Sequence, residues 1–376
     1  MKFPREKLII TIISVLVLAL IFAFTTLIVS SNVGDTSVSA RSAVLYEPVT
    51  DKFLYTKNPD VRLPFASTTK IMTALVAIEN SSLDEEISVA AEACGIEGSS
   101  LYLTPGEVLS MRELITALML RSANDAAAAI AYAVAGGIPQ FADLMNARAL
   151  SLGLKDTHFT NPHGLDEAEH YTTARELAII SAEAMRNPEF KKISSTYKAT
   201  VTNGDGDTRL VVNHNKLLKL YDGAVGIKTG FTKKSGRCLV GAAERNGLTF
   251  ITVTIDAPDD WSDHEKLFDL GFSTLEAKKL ADVGEFTYDL PVLESDKENL
   301  TVSNKDEFNI VVPIGGSEIT SEVLLPRYAV APINEGDVLG HVVFKKDGDV
   351  IAELPITAES DAPMRTRRGP FSFFKK

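Results

Sequence analysis

Pro64-Phe65-Ala66-Ser67-Thr68-Thr69-Lys70-Ile71-Met72-Thr73-Ala74-Leu75 is the stretch around which the chain is organised. Small residues lead into a helical, apolar run. A helix that begins near Ser67 puts Ser67 and Lys70, three residues apart, on one face. A serine hydroxyl is a poor nucleophile at neutral pH unless a neighbouring base takes its proton. Lysine is that base only when its pKa is lowered, and burial, a helix N-terminus and a second cation each lower it. The helix runs to about Asn80 and is apolar nearly all round, through Ile71, Met72, Ala74, Leu75, Val76, Ala77 and Ile78. That pattern implies central burial. An unpaired charge on such a helix is costly, so Lys70 is no ordinary surface lysine.

The rest of the chain bounds the setting. With 376 residues, 45% of them hydrophobic, it can bury a large core in two soluble domains. A net charge of -12 argues against nucleic acid as a partner, since nothing offsets phosphate repulsion. Neither of the two cysteines, Cys94 and Cys238, has metal-ligand spacing. A disulfide between them is open, and two buried free thiols are the plainer expectation. His158, His163 and His170 cluster in a loop and read as satisfied loop histidines, so no metal and no cofactor is expected.

Lys2, Arg5 and Lys7 precede an apolar run from Leu8 to Val29. These 22 residues at helical rise cover a bilayer core of roughly 30 Å. The positive flank stays inside, which places everything after residue 30 outside the cytoplasm. Val38-Ser39-Ala40 has the small-residue character of a signal cleavage site. The apolar run is longer than the usual signal core of about 7–15 residues, which favours a retained anchor. Residues 1–30 are thus a signal or transmembrane helix, and the expected location is the outer face of the cell membrane.

Strands and helices then mix. Ser42–Tyr46 reads as a strand with a turn through Glu47 to Lys52. Thr104-Pro105-Gly106-Glu107 carries helix-start chemistry and predicts a helix running to Arg121-Ser122-Ala123-Asn124-Asp125. An alanine-rich helix follows to about Ala135, and another spans about Phe141 to Leu152. Thr173 caps a helix that Asn187-Pro188 ends. Strand patterns lie near 197–202, 209–213, 222–230, 237–244 and 248–256, the last two alternating as antiparallel neighbours do. A helix from about Trp261 to Leu275 closes a first domain, residues 41–275. This is an α/β (α+β) domain, an antiparallel sheet flanked by helices. Residues 281–358 show only strand patterns, with Lys346-Asp347-Gly348-Asp349 as a hairpin turn, and predict a small all-β domain. Residues 361–376 form a tail where Arg365, Arg367, Arg368, Lys375 and Lys376 interleave with Phe371, Phe373 and Phe374. Such a tail suits a membrane interface, though on composition a disordered end is the plainer expectation.

Three short motifs stand in order: Ser67-Thr68-Thr69-Lys70, Ser122-Ala123-Asn124 and Lys228-Thr229-Gly230. Each alone is weak; together they are specific. This set is an established signature of penicillin-binding proteins and class A β-lactamases, so the assignment rests on likeness and not on derivation. In order and spacing the chain resembles the low-molecular-weight penicillin-binding proteins, the serine-type D-alanyl-D-alanine carboxypeptidases of the peptidase S11 kind. Thr160-Asn161-Pro162-His163-Gly164-Leu165-Asp166, His170-Tyr171-Thr172-Thr173-Ala174 and Asn215-Lys216-Leu217-Leu218 extend the likeness. So does Ala331 to Gly340 in the second domain.

The resemblance implies a penicillin-binding, β-lactamase-like catalytic fold and a division of labour. Ser67 attacks the carbonyl of the terminal D-Ala-D-Ala bond of a peptidoglycan stem peptide and becomes acylated. Lys70 takes its proton, and Lys228 is the second cation that lowers the Lys70 pKa and draws the substrate carboxylate. Ser122 relays a proton to the leaving amine, and Asn124 orders Lys70 or the substrate amide. Thr229 donates to the terminal carboxylate beside Gly230, and His214 is a weaker candidate for the same task. The backbone N–H groups of Ser67 and Phe231 form the oxyanion hole. β-Lactam antibiotics are then covalent inhibitors. Alanine at position 123 and the lack of an E-x-x-L-N stretch between the second and third motifs depart from class A β-lactamases and favour the peptidase. A β-lactamase, or a catalytically silent wall-associated scaffold, are the alternatives.

Overall fold

The first strand of the catalytic unit pairs with its last. β1 (Ser42–Glu47) lies antiparallel to β9 (Leu248–Ile255), with Ser42 opposite Ile255. The computed structural model describes residues 36–365, in two units that divide at Ser273/Thr274. The expected N-terminal helix and most of the basic-aromatic tail lie outside those residues. Among the described residues no single helix is long and apolar enough to cross a membrane.

In chain order the first unit holds β1, then β2 (Lys52–Lys57), α1 (Lys70–Asn80), β3 (Glu86–Ser88), β4 (Val108–Ser110), α2 (Met111–Leu120), α3 (Asn124–Ala135) and α4 (Ile138–Ser151). It continues with α5 (Ala174–Arg186), α6 (Pro188–Ser194), β5 (Lys198–Thr202), β6 (Thr208–Val212), α7 (Leu217–Leu220), β7 (Ala224–Thr232), β8 (Gly236–Arg245), β9 and α8 (Asp260–Thr274). The main sheet runs in the order β2-β1-β9-β8-β7, antiparallel throughout. Its strands alternate between two apolar layers, because successive side chains point to opposite faces. Val240, Ala242, Ile251 and Val253 join the core built by α1 to α6. Thr252 and Thr254 on the other face hydrogen-bond both nitrogens of the buried His264 of α8, and Phe250 meets Phe272 edge to face. The sheet is therefore covered by helices on both sides, as the sequence predicts.

α1 is the central helix. Ile71, Met72, Ala74, Leu75, Val76 and Ala77 are all buried, as its all-round apolar pattern demands. The short α2, α3 and α4 pack around it. α3 ends on Gly136, whose φ of 77° is the left-handed C-cap that glycine adopts without strain.

One expectation changes and others are sharpened. The helix placed after Thr104 begins at Met111 instead. Val108–Ser110 pairs with Glu86–Ser88 as a two-stranded ladder, and the buried Glu107 is claimed by the guanidinium of Arg209. The true cap is Ser110, whose side chain accepts from Glu113 N while the Glu113 carboxylate accepts from Ser110 N. Asn187-Pro188 ends α5 and also starts α6: the Asn187 side chain accepts from Glu189 N and Phe190 N, and proline takes the first helical position. The expected last helix of the first domain is α8, ending at Thr274, and Leu275–Ala281, which has no assignment from the sequence, is a strand of the second unit. Cys94 and Cys238 are free thiols, as the plainer expectation has it, with Cys238 buried and Cys94 only partly so.

The second unit is all β. β10 (Leu275–Ala281) pairs with β13 (Phe308–Pro313). β11 (Tyr288–Leu293), β12 (Asn299–Ser303), β14 (Ile319–Leu324), β15 (Ala329–Val330), β16 (Val338–Lys346) and β17 (Asp349–Ala358) form a sheet in the order β14-β16-β17-β12-β11-β15. Its core is Leu290, Leu300, Val302, Val342, Phe344, Leu354 and Ile356. The β16–β17 turn is the expected one, with Asp347 and Gly348 both at positive φ.

Candidate active site

Ser67 lies in a single 3-10 turn, Ala66–Thr69, that leads directly into α1. Lys70 is the first α-helical residue and is completely buried. Its Nζ has three neighbours: Ser67 Oγ at 2.9 Å, Asn124 Oδ1 at 2.7 Å and the His163 carbonyl at 2.5 Å. An ammonium would donate to all three. A neutral amine has two N–H groups for the two obligate acceptors, Asn124 Oδ1 and His163 O, and turns its lone pair to the Ser67 hydroxyl. The Asn124 amide is fixed in that sense because its Nδ2 donates to Glu97 O at 2.5 Å. Burial first, and the positive charge of Lys228 second, hold the Lys70 pKa well below the ordinary lysine value, against an opposing pull from Asp125. Burial alone brings Lys228 to about 7.

Backbone geometry brings the three motifs together. Lys228 and Thr229 lie on β7, at the edge of the main sheet, which among the described residues pairs with β8 alone. Gly230 passes so close to the nucleophile's turn that a Cβ there would stand 3.0 Å from Ser67 N and 3.1 Å from Thr68 N. Only glycine lets the strand approach the turn this closely. Ser122 falls between α2 and α3 with φ 61°, a left-handed conformation costly for a non-glycine residue. Asn124 opens α3, and its own N–H donates to Ser99 O at 2.7 Å.

An open cleft of about 820 Å³ joins these groups. Ser67, Ser122, Thr229, Gly230, Phe231 and His214 all line it. Burial, then Lys228 and Arg121, lower the pKa of His214, so it is held toward the neutral form. Lys70, Lys228 and Asn124 sit behind the cleft wall as buried groups. Every site residue expected from the sequence is thus in the cleft or directly behind it.

The loop from Thr160 to Asp166 was not assigned a role from the sequence, yet it cradles the turn that carries Ser67. The His163 carbonyl receives Lys70, and Pro162 O accepts from Thr73 Oγ1 at 2.6 Å. Gly164, at φ 84°, backs onto the turn so tightly that a Cβ would meet Ala66 O at 2.0 Å. Asp166 Oδ1 accepts from Thr232 Oγ1 at 3.0 Å and so ties the loop to the end of β7. His170 completes the support. Its Nδ1 accepts from Thr160 N at 3.1 Å, which leaves Nε2 protonated and facing Thr69 Oγ1 at 2.8 Å. The Thr69 hydroxyl in turn donates to Ala66 O at 2.7 Å. The His170 ring stacks on Phe65 with centroids 4.8 Å apart. Burial lowers the pKa of both His163 and His170 to about 3, so both are neutral wherever the protein is folded near neutral pH. The clustered histidines in the sequence were the available signal, and their task is structural.

Comparison with known proteins identifies the family. Residues 29–259 match the peptidase S11 family model, described as D-alanyl-D-alanine carboxypeptidase, and residues 275–363 match the C-terminal domain model of penicillin-binding protein 5. The chain is 32% identical to the D-alanyl-D-alanine carboxypeptidase DacF of Bacillus subtilis, covering 90% of this chain and 88% of that protein. It is 31% identical to the D-alanyl-D-alanine carboxypeptidase DacA of Escherichia coli K12, covering 88% and 85% respectively. The crystal structure of penicillin-binding protein 5 from Haemophilus influenzae superposes with a TM-score of 0.69 at 29% identity, over 88% of this chain and all of that one. The chain belongs to the peptidase S11 family, the D-alanyl-D-alanine carboxypeptidases.

Proposed function

We propose that the protein is a serine D-Ala-D-Ala carboxypeptidase whose nucleophile is Ser67, acting on peptidoglycan stem peptides. The observation that carries this reading is the 2.9 Å approach of Ser67 Oγ to a buried Lys70 amine whose two other neighbours are fixed acceptors. Lys70 takes the Ser67 proton as Oγ attacks the carbonyl carbon of the penultimate D-alanine. The negative charge that forms on the carbonyl oxygen is met by backbone N–H groups of Ser67 and Phe231. The C–N bond breaks, the D-alanine amine leaves with a proton passed from Lys70 through Ser122, and Ser67 is left as an ester. Water then hydrolyses the ester.

The edge position of β7 supports substrate binding along Thr229 to Phe231, because an unpaired strand edge accepts an extended peptide as an added strand. Lys228 and Thr229 supply charge and a hydroxyl for the terminal carboxylate, with His214 on the same cleft wall. β-Lactams enter by the same route and stay as slowly hydrolysed esters of Ser67. The long apolar run at residues 8–29 supports attachment to the membrane with the catalytic unit on its outer face. Release of D-alanine from diacetyl-Lys-D-Ala-D-Ala tests the proposal. The protein is expected to release it and Ser67→Ala to release none; release by Ser67→Ala, or none by the wild type at any pH, refutes the assignment. Rapid turnover of a chromogenic cephalosporin would instead favour a β-lactamase.

A further inference from the structure

The small-residue triplet Val38-Ser39-Ala40 carries the signature of a signal cleavage site, yet it is hydrogen-bonded into the catalytic unit. Val38 is 3% exposed and Ala40 not at all. The holding group is Asp263 on α8, itself fully buried. Its carboxylate accepts from Ser39 N at 2.8 Å, Ser39 Oγ at 2.7 Å and Ala40 N at 3.0 Å. Ser39 Oγ also accepts from Asp259 N at 3.0 Å. The Val38 carbonyl accepts from Lys57 Nζ of β2 at 2.8 Å, and Arg41 N donates to Asp256 O at 3.0 Å. The triplet thus ties β2 to α8 before β1 begins, and Arg41 next to it holds the end of β9.

We infer that Val38-Ser39-Ala40 is retained in the mature protein as an N-terminal clamp, and that the chain is not processed between Ala40 and Arg41. Cleavage there would remove all three of these donors to Asp263 and the tie from Val38 to β2, costing the fold a set of partly buried, charge-assisted hydrogen bonds. After folding, Ser39 is still exposed but Val38 and Ala40, the two residues a signal peptidase reads, are buried and so withheld from it. Any processing of the exported chain therefore lies upstream of Val38, or the apolar segment at residues 8–29 remains attached.

The test is the full chain exported by a bacterial host, in wild-type form and as Ser39→Ala. Ser39→Ala keeps Val38 and Ala40, the flanking residues that a signal peptidase reads, so both forms are processed alike. The N-terminal residue of the exported protein is identified by peptide mass spectrometry and its thermal unfolding is followed. The expected N-terminus is at Val38 or before it. Loss of one hydroxyl donor to a buried carboxylate lowers the unfolding midpoint of Ser39→Ala by about 2–4 °C. Asp263→Asn, which weakens all three bonds, lowers it further. An exported protein that starts at Arg41, or an exported Ser39→Ala protein with the wild-type midpoint, overturns the inference.

Discussion

Asn124→Asp puts a carboxylate where the structure has an amide oxygen, 2.7 Å from Lys70 Nζ, at a side chain only 4% exposed. The shape is unchanged and the charge is new. Lys70 works as a base because its surroundings favour the neutral amine: burial and Lys228 both push its pKa down. An opposite charge in contact shifts a pKa by about 1–3 units toward the charged form. The Lys70 pKa therefore rises by that amount. At a fixed pH on the acid limb, the neutral fraction falls about 10- to 1000-fold. The second-order rate of acylation by a fluorescent penicillin, measured from acid to alkaline pH, should show its acid limb displaced upward by about 1–3 units. The substitution also removes the Nδ2 donor to Glu97 O. That loss lowers the rate at every pH and leaves the limb where it was. The two effects are thus separable. A profile that is merely scaled, with its limb in the wild-type position, would refute the role of Lys70 as the titrating base.

Further expectations concern the surroundings of the nucleophile. Gly230→Ala places a Cβ 3.0 Å from Ser67 N, so acylation should slow on the order of 10-fold or more while the fold melts normally; an unchanged rate counts against the close approach. His170→Leu leaves Thr160 N without its acceptor and Thr69 without its donor, which should cost about 1–3 kcal/mol in urea unfolding and slow acylation. Lys228 sits at about 7 when folded, against about 10.4 in an unfolded chain. Below about 7 both states are protonated and the full penalty of burying the ammonium is present. Above about 10.4 both are neutral and it is gone. Between these limits the unfolded chain binds more protons, so stability gains up to about 1.4 kcal/mol per pH unit from this group as pH rises. Lys228→Met should lose that contribution, and equal pH slopes in the two proteins would exclude it.

What the sequence made legible follows from where the information resides. The Ser67–Lys70 spacing, the apolar ring of α1 and the Thr173 cap are local patterns, and each appears where its residues predict. The partners of Lys70 are another matter. One is a backbone carbonyl, that of His163, and any residue would supply it; no side-chain pattern announces it. His170 was visible as a histidine, but its task depends on a contact 101 positions away with Thr69. The misplaced start of α2 has a definite cause. Thr104-Pro105-Gly106-Glu107 has good capping chemistry, yet the pairing of β4 with β3 and the ion pair of Glu107 with Arg209 outweigh it. Leu275–Ala281 has the lysine, glutamate and alanine content of a helix, and becomes a strand because β13 pairs along it. At residues 104–107, then, tertiary pairing overrides a local capping preference.

The central claim is that Ser67, activated by Lys70, is the acylated residue. The most direct measurement is to trap the protein with benzylpenicillin, digest it and locate the penicilloyl group by tandem mass spectrometry. The account predicts one adduct, on Ser67, absent from Ser67→Ala and formed far more slowly by Lys70→Ala. An adduct on Ser122 or any other residue, or unchanged labelling of Ser67→Ala, would contradict it.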